Sequence, residues 1–139
     1  MAIESEFRTG RHVVSLMHAH LVFVTKYRHP VFTDTHLTRM EEIMREVCGD
    51  FETELEEFNG EANHVHLLVS FPPKVAVSKL VNSLKGVSSR LLRKDFEDLQ
   101  FAYWRGARLW SGSYFAGSAG GAPISAVRQY IERHTRPAI

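Results

Sequence analysis

The chain has 139 residues, of which 44% are hydrophobic and 24% charged, a composition typical of a folded globular domain that excludes a disordered protein. Seventeen basic and sixteen acidic residues leave a formal net charge of +1, so a polyanion-binding surface must come from segregated charge. The only cysteine, Cys48, excludes an internal disulfide, and no run approaches the roughly 20 apolar residues of a membrane span. We therefore expect a single cytoplasmic domain over residues 1–139, without a membrane partner.

The first predicted elements are a strand and a helix. His18 to Tyr27 is rich in β-branched and aromatic residues, which predicts a strand. We interpret its His-x-His pair, His18 and His20, as mostly structural, because both lie where the strand begins. Thr33 or the next residue can cap a helix whose apolar residues recur with helical spacing, and Gly49 is expected to end it.

Two further strands and a second helix follow. Thr53 to Asn59 is a weaker strand, and Asn59-Gly60 predicts a turn into the strand Asn63 to Phe71. Pro72-Pro73 should end that strand. The next helix is predicted from an apolar stripe made of Val77, Leu80, Val81, Leu84, Val87, Leu91 and Leu92.

The sequence of the last third of the chain predicts a fourth strand over Leu109 to Phe115, a flexible tether over residues 117–122 and a final helix over residues 123–135. The element order fits a split βαβ pattern. We therefore predict an α+β, ferredoxin-like βαββαβ fold: an antiparallel sheet with two helices on one face, plus a C-terminal helix on a tether. The strand bearing His64 and His66 should lie in the middle of the sheet.

The pair His64 and His66 is the first candidate site. Alternation along a strand places both imidazoles on the same face, within reach of one cation. The alternative for a lone His-x-His pair is structural, with one ring hydrogen-bonded in the core and the other at its edge. The rest of the chain has to decide between a metal site and this alternative.

The final helix offers the chemistry that the pair lacks. Tyr130 and His134 are four residues apart, so they share a helical face. If His134 is a third metal ligand with His64 and His66, Tyr130 is brought to the metal, and open coordination positions remain for a substrate oxygen. A phenol with a pKa near 10 then needs a base or a cation to become a nucleophile. The alternative is a helical tyrosine that only packs its ring.

Basic residues are segregated on the second predicted helix, opposite its apolar stripe, where Lys85, Arg90 and Arg93 recur. Arg105 follows among aromatic residues. An open sheet face with basic and aromatic surroundings is a common platform for nucleic acids. The alternative is an ordinary solvated helix face.

These motifs together resemble a known family. His64-Val65-His66, with an apolar residue between the histidines, is similar to the HUH motif of single-strand nucleases, and Tyr130 with His134 resembles the single-tyrosine transposases of the IS200-like type. Further motifs occur in the family order, namely Val24-Thr25-Lys26-Tyr27-Arg28, Asn63 to Val69, Leu84-Lys85-Gly86 and Leu109-Trp110.

The resemblance implies a homodimeric transposase that binds hairpin ends of a mobile element as single-stranded DNA. It implies cleavage and rejoining of one strand through a 5′-phosphotyrosine on Tyr130, with Mg²⁺ or Mn²⁺ held by His64, His66 and His134. The family usually has glutamine at the position of His134, and an imidazole there favours Mn²⁺ or other transition ions over Mg²⁺. DNA contacts are then expected from a set of basic residues: Lys26, Arg28, Lys85, Arg90, Arg93 and Arg105.

Two alternative functions are also compatible with these residues. One is a nucleic-acid-binding regulator derived from such a transposase, which binds without cleaving. The other is a histidine-pair nucleotide phosphohydrolase, which is disfavoured because Leu68 stands where a third alternating histidine is expected.

Overall fold

The computed structural model describes residues 8–9, 14–15, 17–103, 108–118 and 124–133. Six strands and four α-helices lie in these ranges. In chain order they are β1 (Arg8–Thr9), β2 (Val14–Ser15), β3 (His18–Val24), α1 (Asp34–Asp50), β4 (Glu54–Glu61), β5 (His64–Ser70), α2 (Val77–Asp95), α3 (Glu97–Ala102), β6 (Phe115–Ser118) and α4 (Ile124–Glu132). No helix in the described ranges combines the length and apolar character that crossing a membrane requires.

The main sheet has four antiparallel strands in the order β4-β5-β3-β6. The short strands β1 and β2 pair with each other in a separate sheet. The strands β3 and β5, each of which is followed by a long helix, lie side by side in the middle of the sheet, as the ferredoxin-like prediction requires. The α+β fold and the central place of the strand that bears the histidines are therefore confirmed.

One face of the sheet carries the core. Alternate residues of the central strands, such as Leu21, Phe23, Val65 and Leu67, are fully buried in one cluster with side chains of α1 and α2. Both helices bury an apolar stripe at helical spacing, which is the physical reason that they lie flat on the sheet. The intervening strand residues point to the other face, which we call the open face because the two helices do not cover it, although Val22 and Val24 on it are buried.

The capping prediction for α1 is confirmed, but its predicted end is wrong. Thr33 is the N-cap and accepts a hydrogen bond from the backbone N–H of His36, whose ring nitrogen accepts from the Thr33 backbone N–H. Gly49 lies inside the helix, which continues to Asp50. The left-handed conformation at this end falls instead on Glu52, with φ 55°.

The turn predicted at Asn59-Gly60 is also wrong, because β4 continues to Glu61 and the turn lies at residues 62–63. Gly60 has a packing role within the strand. A Cβ at Gly60 would lie 2.5 Å from Leu37 Cδ2, so the glycine allows α1 to pack closely on β4.

The fourth strand lies further along the chain than predicted. It spans Phe115–Ser118, so Gly117 and Ser118 belong to the sheet rather than to a tether. The remaining predicted tether, residues 119–122, lies outside the described residues. The helix Glu97–Ala102 was not predicted, whereas the final helix was predicted and forms over Ile124–Glu132.

Residues 109–113, the first part of the strand predicted over Leu109 to Phe115, form no regular strand and instead contact both Thr25 after β3 and the helix α2. Trp110 makes an isolated bridge with Thr25, and its indole Nε1–H donates to Ser88 Oγ at 3.0 Å. The backbone N–H of Leu109 donates to Ser89 Oγ at 3.3 Å. Leu109 and Trp110 are therefore buried by packing against α2, which sequence periodicity alone does not separate from a strand.

We expect the Ser88→Ala variant to lose about 1–3 kcal/mol of unfolding free energy, because the buried Trp110 indole N–H loses its acceptor. Urea unfolding measures this loss. In a Trp110→Phe background, where that donor is absent, Ser88→Ala should cost about 1 kcal/mol less. Ser83→Ala on the same helix is the control and should change stability little. Equal losses in both backgrounds would contradict the hydrogen bond.

Candidate active site

The His64 and His66 side chains lie on the open face of the sheet. They occupy alternate positions of β5, and both are half-buried, whereas Val65 between them is fully buried on the helix-covered face. The shared face expected from alternation is therefore present. On β4, Asn59 pairs with His66 and Glu61 pairs with His64, so these side chains lie on the same face.

Each of the two histidines has a partner that orients its ring. His64 Nδ1 donates to Asn63 Oδ1 at 2.9 Å, which leaves its other nitrogen, Nε2, with a lone pair for a cation. His66 Nε2 shares a hydrogen bond of 2.8 Å with His20 Nδ1, and the two ring centroids are 4.9 Å apart. When His66 is the donor in this pair, its Nδ1 carries the lone pair.

Burial lowers the pKa of His64 and of His66 below the usual value for imidazole. For His66, the neighbouring His20 lowers the pKa further. Both rings are therefore neutral at neutral pH, which is the form that binds a metal ion.

These two histidines do not complete a metal site by themselves. Across the described ranges, no three histidine, cysteine, aspartate or glutamate side chains form a group that could hold a metal ion. The third predicted ligand, His134, lies outside the described residues. The metal site of His64, His66 and His134 thus stays a prediction. The two described histidines, His64 and His66, are each able to offer a nitrogen lone pair to a cation.

Tyr130 of α4 lies against the strand β6. Its ring packs on Phe115 with centroids 5.9 Å apart, and its hydroxyl shares a hydrogen bond of 3.0 Å with Ser113 Oγ. Burial raises the pKa of the phenol, and the Ser113 hydrogen bond opposes that shift. The phenol is therefore protonated at neutral pH in this arrangement.

The sheet register relates Tyr130 to the histidines. Phe115 pairs with Val22, and Val22 pairs with His66, so these three residues form one row across the sheet. Neighbouring strands are about 4.8 Å apart, so the backbones of Phe115 and His66 are separated by about 10 Å. The ring of Tyr130 packs on Phe115 at one end of this row, and His66, a predicted metal ligand, lies at the other end.

The chain segment after β3 helps to place α4. Tyr27 and Arg28 both have left-handed backbone conformations, with φ 61° and 56°, which are costly for residues other than glycine. The Tyr103 hydroxyl donates to the Lys26 carbonyl at 3.1 Å and helps to hold this bend. Arg28 Nη1 then donates to the Glu132 carbonyl near the end of α4, at 3.4 Å.

The predicted DNA-binding residues occupy different environments. Lys85 is half-buried, and its ammonium donates to the Ser111 and Ser113 carbonyls at 2.7 and 3.2 Å. Arg93 donates to the Ser89 and Tyr103 carbonyls. Arg90 is exposed, Lys26 and Arg28 are half-buried after β3, and Arg105 lies outside the described residues.

Three contacts of this site were missed from the sequence. They are those of His20 with His66, of Asn63 with His64 and of Ser113 with Tyr130. The His-x-His spacing of β3 was visible and placed His20 on one face of its strand. The pairing of Val22 with His66, which brings His20 beside His66, required the register between β3 and β5.

Both the sequence and the fold are similar to those of known proteins. Residues 13–134 match the family model described as Transposase IS200 like. The chain is 35% identical over 113 residues to the transposase for insertion sequence element IS200 of Salmonella typhimurium strain LT2, covering 81% of this chain and 73% of that protein. It is 30% identical over 127 residues to the ISDra2 transposase TnpA of Deinococcus radiodurans, covering 91% and 90%.

Two solved structures are similar in fold. The crystal structure of a proposed transposase from Deinococcus radiodurans R1 superposes with a TM-score of 0.86 at 30% identity, covering 94% of this chain and 99% of that one. A REP-associated tyrosine transposase bound to a REP hairpin superposes with a TM-score of 0.53 at 11% identity, covering 90% and 68%, and shows likeness of fold. The family match, the sequence relatives and the shared fold agree: the chain belongs to the IS200-like transposase family.

Proposed function

We propose that this transposase binds hairpin ends of a mobile element as single-stranded DNA and that it cleaves and rejoins one strand through a 5′-phosphotyrosine on Tyr130. The observation that carries the proposal is the row of paired residues across the sheet. The ring of Tyr130 packs on Phe115 at one end of the row Phe115, Val22 and His66. The neutral imidazole of His66 stands at the other end, and His64 lies two residues away on the same face of β5. A DNA strand lying along this row would pass both groups.

The proposed chemistry is a transesterification. The Tyr130 oxygen attacks the scissile phosphorus, the bond from phosphorus to the 3′-oxygen breaks, and the phenol proton is released to solvent as the 3′-oxygen is protonated. The phosphotyrosine conserves the energy of the phosphodiester, so attack by a 3′-hydroxyl rejoins DNA without an external energy source. Ser113 holds the phenol beside Phe115 until the substrate arrives.

We propose His64, His66 and His134 as the ligands of the divalent cation, Mn²⁺ or Mg²⁺. When bound, the cation supplies Lewis-acid polarisation of a phosphoryl oxygen and favours the phenolate form of Tyr130. Support comes from the orientation of the two described rings, each of which has one nitrogen hydrogen-bonded to a neighbouring side chain. An imidazole at position 134 would favour Mn²⁺.

We expect the His20→Ala variant to weaken Mn²⁺ binding by about 10- to 100-fold, because His66 loses the partner that fixes its ring. Titration of the protein with Mn²⁺, followed by electron paramagnetic resonance of the free ion, measures the dissociation constant without any substrate. His18→Ala is the matched control, since His18 lies on the same face but pairs with Glu56 at 3.1 Å. Equal affinities of the two variants would contradict this role for His20.

We further propose that two copies of the chain assemble. Among the described strands, β6 forms one edge of the four-stranded sheet and pairs only with β3. The backbone groups on its other side are therefore able to pair with a second sheet. Sedimentation of the purified protein at several concentrations tests this assembly.

The test of the proposed function uses one single-stranded hairpin substrate with two alternative labels. With Mn²⁺, a 3′-labelled strand should remain attached to the protein on a denaturing gel, because the protein is joined to the 5′-phosphate of that fragment. A 5′-labelled strand should be shortened to a product with a free 3′-hydroxyl that a polymerase extends. Peptide mapping should locate the adduct at Tyr130, and chelation of the metal should prevent it.

The two alternative functions give different results in this test. Binding without a shortened strand or an adduct would favour a regulator derived from a transposase. A shortened strand without any adduct would favour a phosphohydrolase. Either result would contradict the phosphotyrosine proposal.

A further inference from the structure

A cavity of about 410 Å³ lies between α2 and the segment 108–112, away from the histidine pair. We call it the basic cavity. Its α2 wall consists of Asn82, Lys85, Gly86, Ser89 and Arg93, which share one helical face. The opposite wall is formed by residues between Arg108 and Gly112.

Among the residues that the structure describes, the lining of the basic cavity carries three cationic side chains, Lys85, Arg93 and Arg108, and no carboxylate. Lys85 donates hydrogen bonds to the Ser111 and Ser113 carbonyls, and a neutral carbonyl does not cancel the charge of its donor. Burial lowers the pKa of Lys85, and the positive charge of the nearby Arg108 lowers it further. The cavity therefore attracts an anion.

The cavity also has a fixed relation to the candidate active site. The ammonium of Lys85 donates to the Ser113 carbonyl, and the hydroxyl of Ser113 shares a hydrogen bond with the Tyr130 hydroxyl. One residue thus separates the wall of the cavity from the phenol. An anion bound beside Lys85 would lie close to the place where we propose that DNA is cleaved.

We propose that the basic cavity binds a phosphate group, with its sugar, of single-stranded DNA next to the cleaved bond. The proposal rests on the proposed function for the identity of the strand. The volume suits one nucleotide, whereas a duplex is too wide to enter. Trp110 in the lining is 2% exposed, so its ring offers no stacking surface, and recognition by charge is independent of base.

Gly86 provides a test that leaves the cationic residues unchanged. A Cβ at Gly86 would meet no atom within 4 Å, and the same holds for Gly49 in α1. Both glycines are exposed and helical, so Gly86→Glu and Gly49→Glu add the same charge without a clash, and glutamate is the better helix former. Only the first places a carboxylate in the basic cavity. Thermal unfolding checks that both variants fold.

Binding is measured by fluorescence anisotropy with a labelled 15-residue oligothymidylate, in a chelator so that no cleavage occurs. We expect Gly86→Glu to weaken binding about tenfold at low salt. The slope of log affinity against log salt should become shallower by about 0.7 for each phosphate that the variant no longer binds. Gly49→Glu should bind within about twofold of the native protein, and Gly86→Lys should bind no more weakly than it.

Equal affinities of Gly86→Glu and Gly49→Glu would overturn the proposal. An equal loss of affinity for a 15-base-pair duplex would overturn the assignment to a single strand. Failure of the proposed function is distinguishable from both results. A native protein that forms no adduct, but loses oligothymidylate binding on Gly86→Glu, contradicts the phosphotyrosine chemistry and supports the cavity. A native protein that forms the adduct, but whose oligothymidylate binding is unchanged by Gly86→Glu, supports the phosphotyrosine chemistry and contradicts the cavity.

Discussion

The Tyr130→Phe variant is expected to form no covalent adduct with single-stranded DNA, a loss of at least about a thousandfold, because the attacking oxygen is absent. The phenylalanine keeps the ring that packs on Phe115, so the helix should remain in place. The Ser113 hydroxyl that loses this hydrogen bond is exposed, and stability should change little. The measurement is the adduct band from a 3′-labelled hairpin on a denaturing gel, over a time course with Mn²⁺.

Two control variants make this result specific. Tyr114→Phe removes a phenol oxygen from a half-buried tyrosine that lies between Ser113 and Phe115. This variant should form nearly as much adduct as the native protein. Ser113→Ala is the more demanding control, because the Ser113 hydroxyl lies 3.0 Å from the phenol and is a second oxygen that could attack the phosphorus. Adduct formation that survives in Tyr130→Phe but is lost in Ser113→Ala would assign the reaction to the serine.

The parts of the fold that could be predicted from sequence are those set by local pattern. The β-branched and aromatic content of His18 to Tyr27 and the apolar run around His64 identified the central strands, and helical apolar spacing identified the two long helices. Gly60 was misread as a turn because its place in β4 depends on the approach of Leu37 from α1. Leu109 and Trp110 were misread because packing against Ser88 and Ser89 of α2 buries them, whereas their backbone makes only an isolated bridge with Thr25 after β3.

The same distinction applies to the candidate site. The shared face of His64 and His66 follows from a two-residue spacing within one strand, so sequence predicts it. The contact of His20 with His66 depends on how β3 and β5 align, and a shift of one residue would move His20 to the other face. Sequence therefore identified the candidate reactive groups, but it did not identify the neighbours that orient them.

The His66→Ala variant should lose Mn²⁺ binding by at least about a hundredfold, because it removes a nitrogen donor rather than a neighbour that orients one. The loss should exceed that of His20→Ala, and His18→Ala should bind Mn²⁺ as the native protein does. Isothermal titration calorimetry in the absence of DNA measures all three affinities, and thermal unfolding checks that the half-buried site still folds.

This graded series separates a metal ligand from a structural histidine. If His66 has only a structural role beside His20, the His66→Ala and His20→Ala variants should both be less stable, because each disrupts the same hydrogen bond. Their affinity for Mn²⁺ should then equal that of the native protein. If His66 is a ligand, His66→Ala should lose affinity in both the native and the His20→Ala background. Adduct formation should then fall in the same order as affinity and recover in part at high Mn²⁺ for His20→Ala, since its ligands remain present. Recovery of His66→Ala to the same extent would contradict its role as a ligand.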